Sequence, residues 1–218
     1  MAKLRLNMTM SLDGYVAGPN QSRDNPLGEG AMALHEWAFA TRSFRMAHGM
    51  EGDGEAGLDD SYAAKWNENV GATIMGRNMF GPIRGPWDEA WTGWWGDNPP
   101  FHTPVFVLTH HPRVPVELAG GTTFHFVTDG IEAALEQATA AAGGKDVTLG
   151  GGASTAQQYL RAGLVDELEV HVVPMLLGAG SRLFESLDGD LDGYECVGLA
   201  SSPAVAHFTY VRKGSAQG

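Results

Sequence analysis

One cysteine, Cys196, is the whole thiol inventory of this 218-residue chain. A single thiol excludes an internal disulfide and a cysteine-based zinc site, and it suits a reducing compartment. Basic residues are scarce: 14 Lys and Arg stand against 26 Asp and Glu, for a formal net charge of -12. Nonspecific nucleic-acid binding and attachment to an anionic membrane both need clustered cations, so this balance disfavours them. It still leaves room for an anionic small molecule, which a few local cations and helix ends can hold. Long hydrophobic runs are missing too. No apolar stretch approaches the roughly 20 residues of a membrane helix, and the polar start from Met1 to Met10 is too short for a signal peptide. The expectation is a cytoplasmic protein with no membrane or nucleic-acid partner. Repeats and linker-like breaks in composition are also absent, so one domain over 1–213 is expected, with a disordered tail at 214–218.

With 43% hydrophobic residues the chain can bury a full core. Leu4, Leu6 and Met8 alternate with Arg5, Asn7 and Thr9, the period of a strand. Residues 29–47 look helical, 49–57 read as a solvated loop, and a short helix is expected over 60–67. Strands are predicted at 70–75, 105–109 and 122–127. Between the first two lies a long segment rich in glycine, proline and tryptophan, including Trp87, Trp91, Trp94 and Trp95; a loop of that length is more often functional than idle. Asp129 is expected to cap a helix that runs to Ala142 and stops at two glycines. Strands at 147–149 and 165–173 follow, then an antiparallel pair at 194–199 and 205–212. Strands alternating with helices predict an α/β domain around a mainly parallel sheet with antiparallel C-terminal strands.

The most pointed local signal is the strand Val147–Leu149 running into Gly150, Gly151 and Gly152, with a helix starting at once. Glycines let a ligand lie on the backbone, and the helix start offers unpaired N–H groups and a positive dipole end. It is not a Rossmann fingerprint, since Thr155 stands where a third glycine or alanine is needed and the turn comes late in the chain. Two other strand ends carry polar groups. Gly76-Arg77-Asn78 follows one, and Leu108-Thr109-His110-His111-Pro112-Arg113 follows another. Each alone also fits a solvated strand end. Together, at the carboxyl ends of strands, the three favour a polyphosphate ligand.

Five segments in order then carry a resemblance: 11–17 (SLDGYVA), 74–80 (IMGRNMF), 107–110 (VLTH), 150–152 (GGG) and 164–178 (LVDELEVHVVPMLLG). The set resembles the dihydrofolate reductase-like superfamily. The nearest branch is the one sharing the C-terminal reductase domain of the bifunctional riboflavin-biosynthesis deaminase-reductase. The resemblance implies a three-layer α/β/α fold and NADPH as cofactor. Gly76, Arg77 and Asn78 would hold the pyrophosphate and 2′-phosphate side. Leu108, Thr109, His110 and Arg113 would surround the 2′-phosphate, and Gly150, Gly151, Gly152, Ala153 and Ser154 the pyrophosphate and nicotinamide. Val16, Ala17 and Gly18 would form a mobile loop over the nicotinamide. Members of this branch are commonly homodimers, and Met175, Leu176 and Leu177 are expected at an interface.

The catalytic group is less marked. Dihydrofolate reductases use a carboxylate on the first helix, but the matching register here places Leu34. His35 and Glu36 lie beside it, pointing about 100° apart on a helix; His35 is the better proton donor near neutral pH. Asp13 either faces the substrate, as in the riboflavin-type reductases, or forms the turn in Leu-Asp-Gly. No pair of histidines has metal-ligand spacing, and hydride transfer needs no metal. No zinc deaminase motif occurs in this sequence, so a stand-alone reductase rather than the bifunctional enzyme is expected. The expected activity is NADPH-dependent hydride transfer to a C=N or C=O of a small heterocyclic or carbonyl substrate; for the riboflavin branch this would be a phosphorylated ribosylaminopyrimidine. The rival expectation is a protein that binds NADP(H) without turnover, for sensing or assembly. A flavin or deazaflavin in the same cleft is a further alternative.

Overall fold

In the computed structural model, which describes residues 2–81, 84–185, 187 and 191–214, the alternating N-terminal segment forms β1 (Leu4–Ser11) at the centre of a nine-stranded sheet. Both its faces are covered, so even Arg5 and Thr9 are buried. Arg5 is tolerated because its guanidinium donates to the carbonyls of Glu68 (2.9 Å) and Lys65 (2.8 Å). Asp146 and Glu167 balance its charge. A buried cation needs such partners.

The chain continues through β2 (Tyr15–Ala17), α1 (Glu36–Ala40), α2 (Arg42–Ala47), α3 (Leu58–Lys65), β3 (Val70–Gly76), α4 (Arg77–Phe80), β4 (Pro104–Leu108) and β5 (Val116–Glu117). It ends with β6 (Thr123–Val127), α5 (Ile131–Ala141), β7 (Asp146–Leu149), α6 (Ala153–Arg161), β8 (Glu167–Val173), β9 (Ser181–Arg182), β10 (Tyr194–Ser201) and β11 (Ala206–Arg212). The main sheet runs β10-β11-β8-β1-β7-β3-β4-β6-β5. From β8 to β6 neighbours are parallel; β10, β11 and β5 pair antiparallel. The expected mainly parallel sheet with antiparallel C-terminal strands is therefore present.

Alternate side chains of β3 and β4 enter different cores. Ile74 and Phe106 pack under α5 and α6, beside Ala134, Ala138, Ala156 and Tyr159. Met75, Val105 and Val107 face the other way, against Phe80, Phe124, Trp87, Trp91 and Trp95. On that second side a smaller cluster of Trp37, Ala38, Ala63 and Val205 seats the α1–α3 helices. These are the three layers, with the tryptophan-rich segment serving in place of a helix over part of one face.

Two local expectations are corrected. The helix read over 29–47 is broken into a 3₁₀ turn (Ala31–His35), α1 and α2. Thr41 divides the last two: its backbone is extended, and its Oγ1 takes the Phe44 amide at 3.3 Å as a cap. Asp129 does not cap α5; Gly130 precedes the helix, with no side-chain cap. The two-residue strands β5 and β9 are too short to leave a period. The expected tail at 214–218 lies outside the described residues except for Gly214. Among the described residues no helix is long and apolar enough to cross a membrane.

Candidate active site

Gly76, Leu108 and Leu149 are far apart in sequence, yet they end β3, β4 and β7, which are neighbours in the sheet. The parallel register pairs Gly76 with Leu108 and Ile74 with Leu149. The three polar strand ends therefore open onto one cleft of about 1160 Å³. That exceeds the roughly 300–1,000 Å³ of a single small-ligand pocket.

The glycine turn is pinned to β3 from both sides. The Gly150 amide donates to the Ile74 carbonyl (2.8 Å), and the Gly76 amide donates to the Gly151 carbonyl (2.9 Å). Gly76 must be glycine for a packing reason: a Cβ there would lie 2.3 Å from Thr155 Oγ1. The close approach lets α6 begin directly over the strand end. Among the described residues nothing accepts from the amides of Gly152, Ala153 and Ser154, so the start of α6 offers free donors to the cleft.

Arg77 follows Gly76 and lies over the Trp87 ring at 3.9 Å, with one nitrogen donating to the Gly85 carbonyl at 2.5 Å. Its Nε is buried with no partner. Burial first, then the charge of Arg84, pushes its pKa below the usual arginine value. Arg84 donates to Asn78 Oδ1 at 2.6 Å. Neither arginine has a carboxylate partner among the described residues, and both line the cleft with Asn78. Thr109, His110 and His111 line it at the next strand end, where Thr109 Oγ1 receives the His111 amide at 3.1 Å. Arg113 departs from expectation. Its side chain is buried, paired with Glu89 at 3.3 Å and donating to the Trp91 carbonyl at 2.8 Å, outside the cleft lining.

The opposite half of the cleft is built from β1 beyond the end of β7, from β2, and from the first helical segment. Asn7, Thr9, Val16, Ala17, His35, Phe39 and Trp66 line it. Val16 and Ala17 belong to β2, paired with β9; Gly18 is buried outside the lining, its amide donating to the Leu27 carbonyl. His35 stacks on Phe39 at 6.1 Å. Its Nδ1 is buried without a partner, and burial lowers the imidazole pKa, opposed by the Ala31 carbonyl. Leu34 is fully buried, and Glu36 points outward, exposed and away from the cleft.

Asp13 also lies outside the cleft lining. It accepts from Ser11 Oγ (2.5 Å) and from the amides of Leu177 (3.0 Å) and Gly178 (2.8 Å). These bonds, the one from Ser11 first, lower its pKa to about 2. The turn role of Asp13 is the one the geometry contains. Of the four clustered tryptophans, Trp87 and Trp91 sit in the core with their indole N–H groups bonded to the His111 and Phe80 carbonyls; Trp94 and Trp95 line the cleft.

Sequence reasoning did not single out Asn7, Thr9, Trp66 or Arg84. The signal for the first two was present: polar residues alternating on a strand that is central and covered on both faces. Arg84 had only its isolation, a cation among glycines and prolines with no acid beside it.

A search of curated proteins found no match. Among solved structures, a candidate riboflavin biosynthesis protein from Shewanella sp. PV-4 is 22% identical over 97% of this chain and 99% of its own, with a TM-score of 0.60. The RibD protein of Acinetobacter baumannii is 19% identical with a TM-score of 0.59; the match covers 98% of this chain and 58% of that one. Dihydrofolate reductase from Enterococcus faecalis, solved with NADP(H) and RAB-propyl, is 14% identical over 97% and 96% of the two chains, with a TM-score of 0.53. These likenesses establish the dihydrofolate reductase-like fold. The model of the RibD C-terminal domain matches residues 2–196. The chain therefore belongs to the RibD C-terminal domain family, the NADPH-dependent reductase domain of riboflavin biosynthesis.

Proposed function

We propose that this reductase holds NADPH across the ends of β3, β4 and β7 and reduces a small heterocyclic or carbonyl substrate lodged between that wall and His35. The observation that carries the reading is the charge imbalance in the cleft. Two guanidiniums without carboxylate partners among the described residues and the free amides at the start of α6 face one cavity, and a phosphorylated dinucleotide answers both. The buried, unpartnered Nε of Arg77 fits a phosphate oxygen in particular.

In this arrangement Gly76, Arg77 and Asn78 take the phosphate-bearing end together with Leu108, Thr109 and His110, and Arg84 joins them. Gly150, Gly151, Gly152, Ala153 and Ser154 cradle the pyrophosphate. Val16 and Ala17 border the reacting end, and Gly18 supports them from beneath. NADPH, when bound, supplies the hydride. The chain orients the partners and excludes water. His35, kept neutral by burial, hydrogen-bonds the heteroatom, whose proton comes from solvent when the cleft opens. Asp13 supports this site from outside by holding the turn after β1, and Glu36, exposed and outside the lining, has no part in this reading. The rival expectation of binding without turnover gains no observation of its own.

The test is paired affinity. An Arg77→Ala variant should weaken NADPH more than NADH; equal loss for both cofactors would overturn the phosphate assignment. Two further parts belong to the same reading. A homodimer is supported by Leu12 and Leu176, which are 66% and 71% exposed and lie close together through the Leu12 amide bonded to the Met175 carbonyl. Light scattering at micromolar concentration would show a monomer if this is wrong. A cytoplasmic location accords with the lone exposed thiol of Cys196, and cell fractionation tests it.

A further inference from the structure

Behind the substrate half of the cleft lies a buried polar chain that the reductase chemistry does not use. The indole Nε1 of Trp66 meets His171 Nε2 at 3.4 Å, His171 Nδ1 meets His207 Nδ1 at 2.8 Å, and His207 Nε2 meets Asp59 Oδ1 at 3.0 Å. Ser202 Oγ donates to the other oxygen of Asp59 at 2.8 Å and also receives the amides of Ala204 and Val205. Both imidazoles are fully buried. Tyr62 stacks on His207 with ring centroids 4.0 Å apart, and Trp37 packs against both imidazoles.

The direction of every bond follows from one fact: an indole N–H can only donate. His171 Nε2 must therefore accept, so a neutral His171 carries its proton on Nδ1 and gives it to His207 Nδ1. His207 then holds its proton on Nε2 and donates to the Asp59 carboxylate. One set of tautomers satisfies the whole chain, with both histidines uncharged.

A proton added to the histidine pair has nowhere to go without breaking it. If His171 is charged, its Nε2 carries a proton facing the Trp66 N–H. If His207 is charged, His171 must turn acceptor at Nδ1, and its own proton moves to Nε2 with the same result. In both cases Trp66 loses its acceptor.

We propose that Asp59, His207 and His171 form a one-directional positioning network for Trp66, which fixes this part of the cleft wall and lets it go when the histidine pair takes up a proton. The other ionisable groups around the pair are Lys65 and Tyr62 on α3 and Glu169 on β8. Lys65 opposes a charge on either histidine, whereas Asp59 favours one on His207. Burial is the largest influence and lowers both pKa values, that of His171 to about 3. The network is thus closed at neutral pH and opens only in acid. What this does to turnover rests on the reductase reading; the existence of the network does not.

The test is NMR of the protein labelled at its six tryptophan indoles, with the Trp66 resonance assigned by Trp66→Phe. At pH 7.5 the Trp66 N–H should exchange slowly. His171→Phe should speed that exchange by roughly tenfold, the loss of about one hydrogen bond. His171→Gln, whose side-chain oxygen can accept from the indole, should restore slow exchange. On acidification below pH 6.5 the wild-type Trp66 signal should move before those of Trp87 and Trp91, and the double variant His171→Gln, His207→Gln, which keeps the bond directions without a titrating ring, should abolish this early movement. If His171→Phe shifts all the indoles together, the acid titration of wild type against the double variant decides. Unchanged Trp66 exchange in a folded His171→Phe, or an early acid movement that persists in the double variant, overturns the proposal. No substrate or cofactor is used, so this failure is separate from any failure of the reductase reading.

Discussion

Arg77 and Arg84 bring two positive charges to one cleft, while Arg113, close by in the fold, has its charge answered by Glu89. In the proposed reading that contrast makes the first two phosphate binders and leaves Arg113 as a strut. Arg84→Ala should weaken NADPH by roughly 10–100-fold, the worth of about 1.5–3 kcal/mol for a hydrogen bond to a charged group, measured by fluorescence titration. Arg113→Ala should instead lower the melting temperature. The place of Arg77 in the cleft lining was legible because it stands directly after a strand. Arg113 was misleading because Glu89, its partner, lies 24 residues away in the chain. Asp13 makes a separate prediction. Its folded pKa of about 2 is below the ordinary 3.8, so its contribution to stability is complete above pH 3.8 and lost as pH falls toward 2. Asp13→Asn should flatten the acid limb of the thermal midpoint over that window while leaving NADPH affinity unchanged.

At the scale of elements, the seat of α6 on the end of β3 depends on one missing methyl group. Gly76→Ala would press on Thr155 Oγ1, and overpacking of this kind costs about 1–3 kcal/mol. Urea unfolding should show that loss, and Thr155→Ala in the same chain should recover part of it. Simple additivity of the two changes would mean the contact is not the cause. The elements themselves were largely readable, because long strands carry their period and β3, β4, β7 and β8 were each bounded by turn residues. The first helical segment was not. Its apolar residues suggested one helix, whereas Thr41 breaks the chain by capping with its own hydroxyl. A threonine mid-segment signals a cap only once the following turn is seen to need one. The side chains that meet across the cleft were hidden for a different reason: which strand ends become neighbours depends on sheet order, and no local pattern encodes that.

For the whole molecule, occupancy and acidity move stability in opposite directions. NADPH at about 100-fold its dissociation constant should stabilise the fold by about 2.7 kcal/mol, and a thermal shift without change would count against binding. The histidine pair works the other way. Both folded pKa values lie below the ordinary 6.5, so the unfolded chain binds more protons in acid. Their contribution is intact above pH 6.5 and is lost in acid; for His171 the loss runs down toward about pH 3, by up to about 1.4 kcal/mol per pH unit. Urea midpoints at pH 7 and pH 5 should differ in wild type and differ less in His171→Gln. The central place of β1 has a consequence in time as well as in space. Its partners are Val147 in β7 and residues as late as Val173 in β8, so the middle of the sheet is a closure between distant parts of the chain. Such non-local pairings are slow to find. During synthesis β1 must wait, unpaired and apolar, until those late strands emerge, which makes early chaperone contact and slow refolding the expected habits of this enzyme.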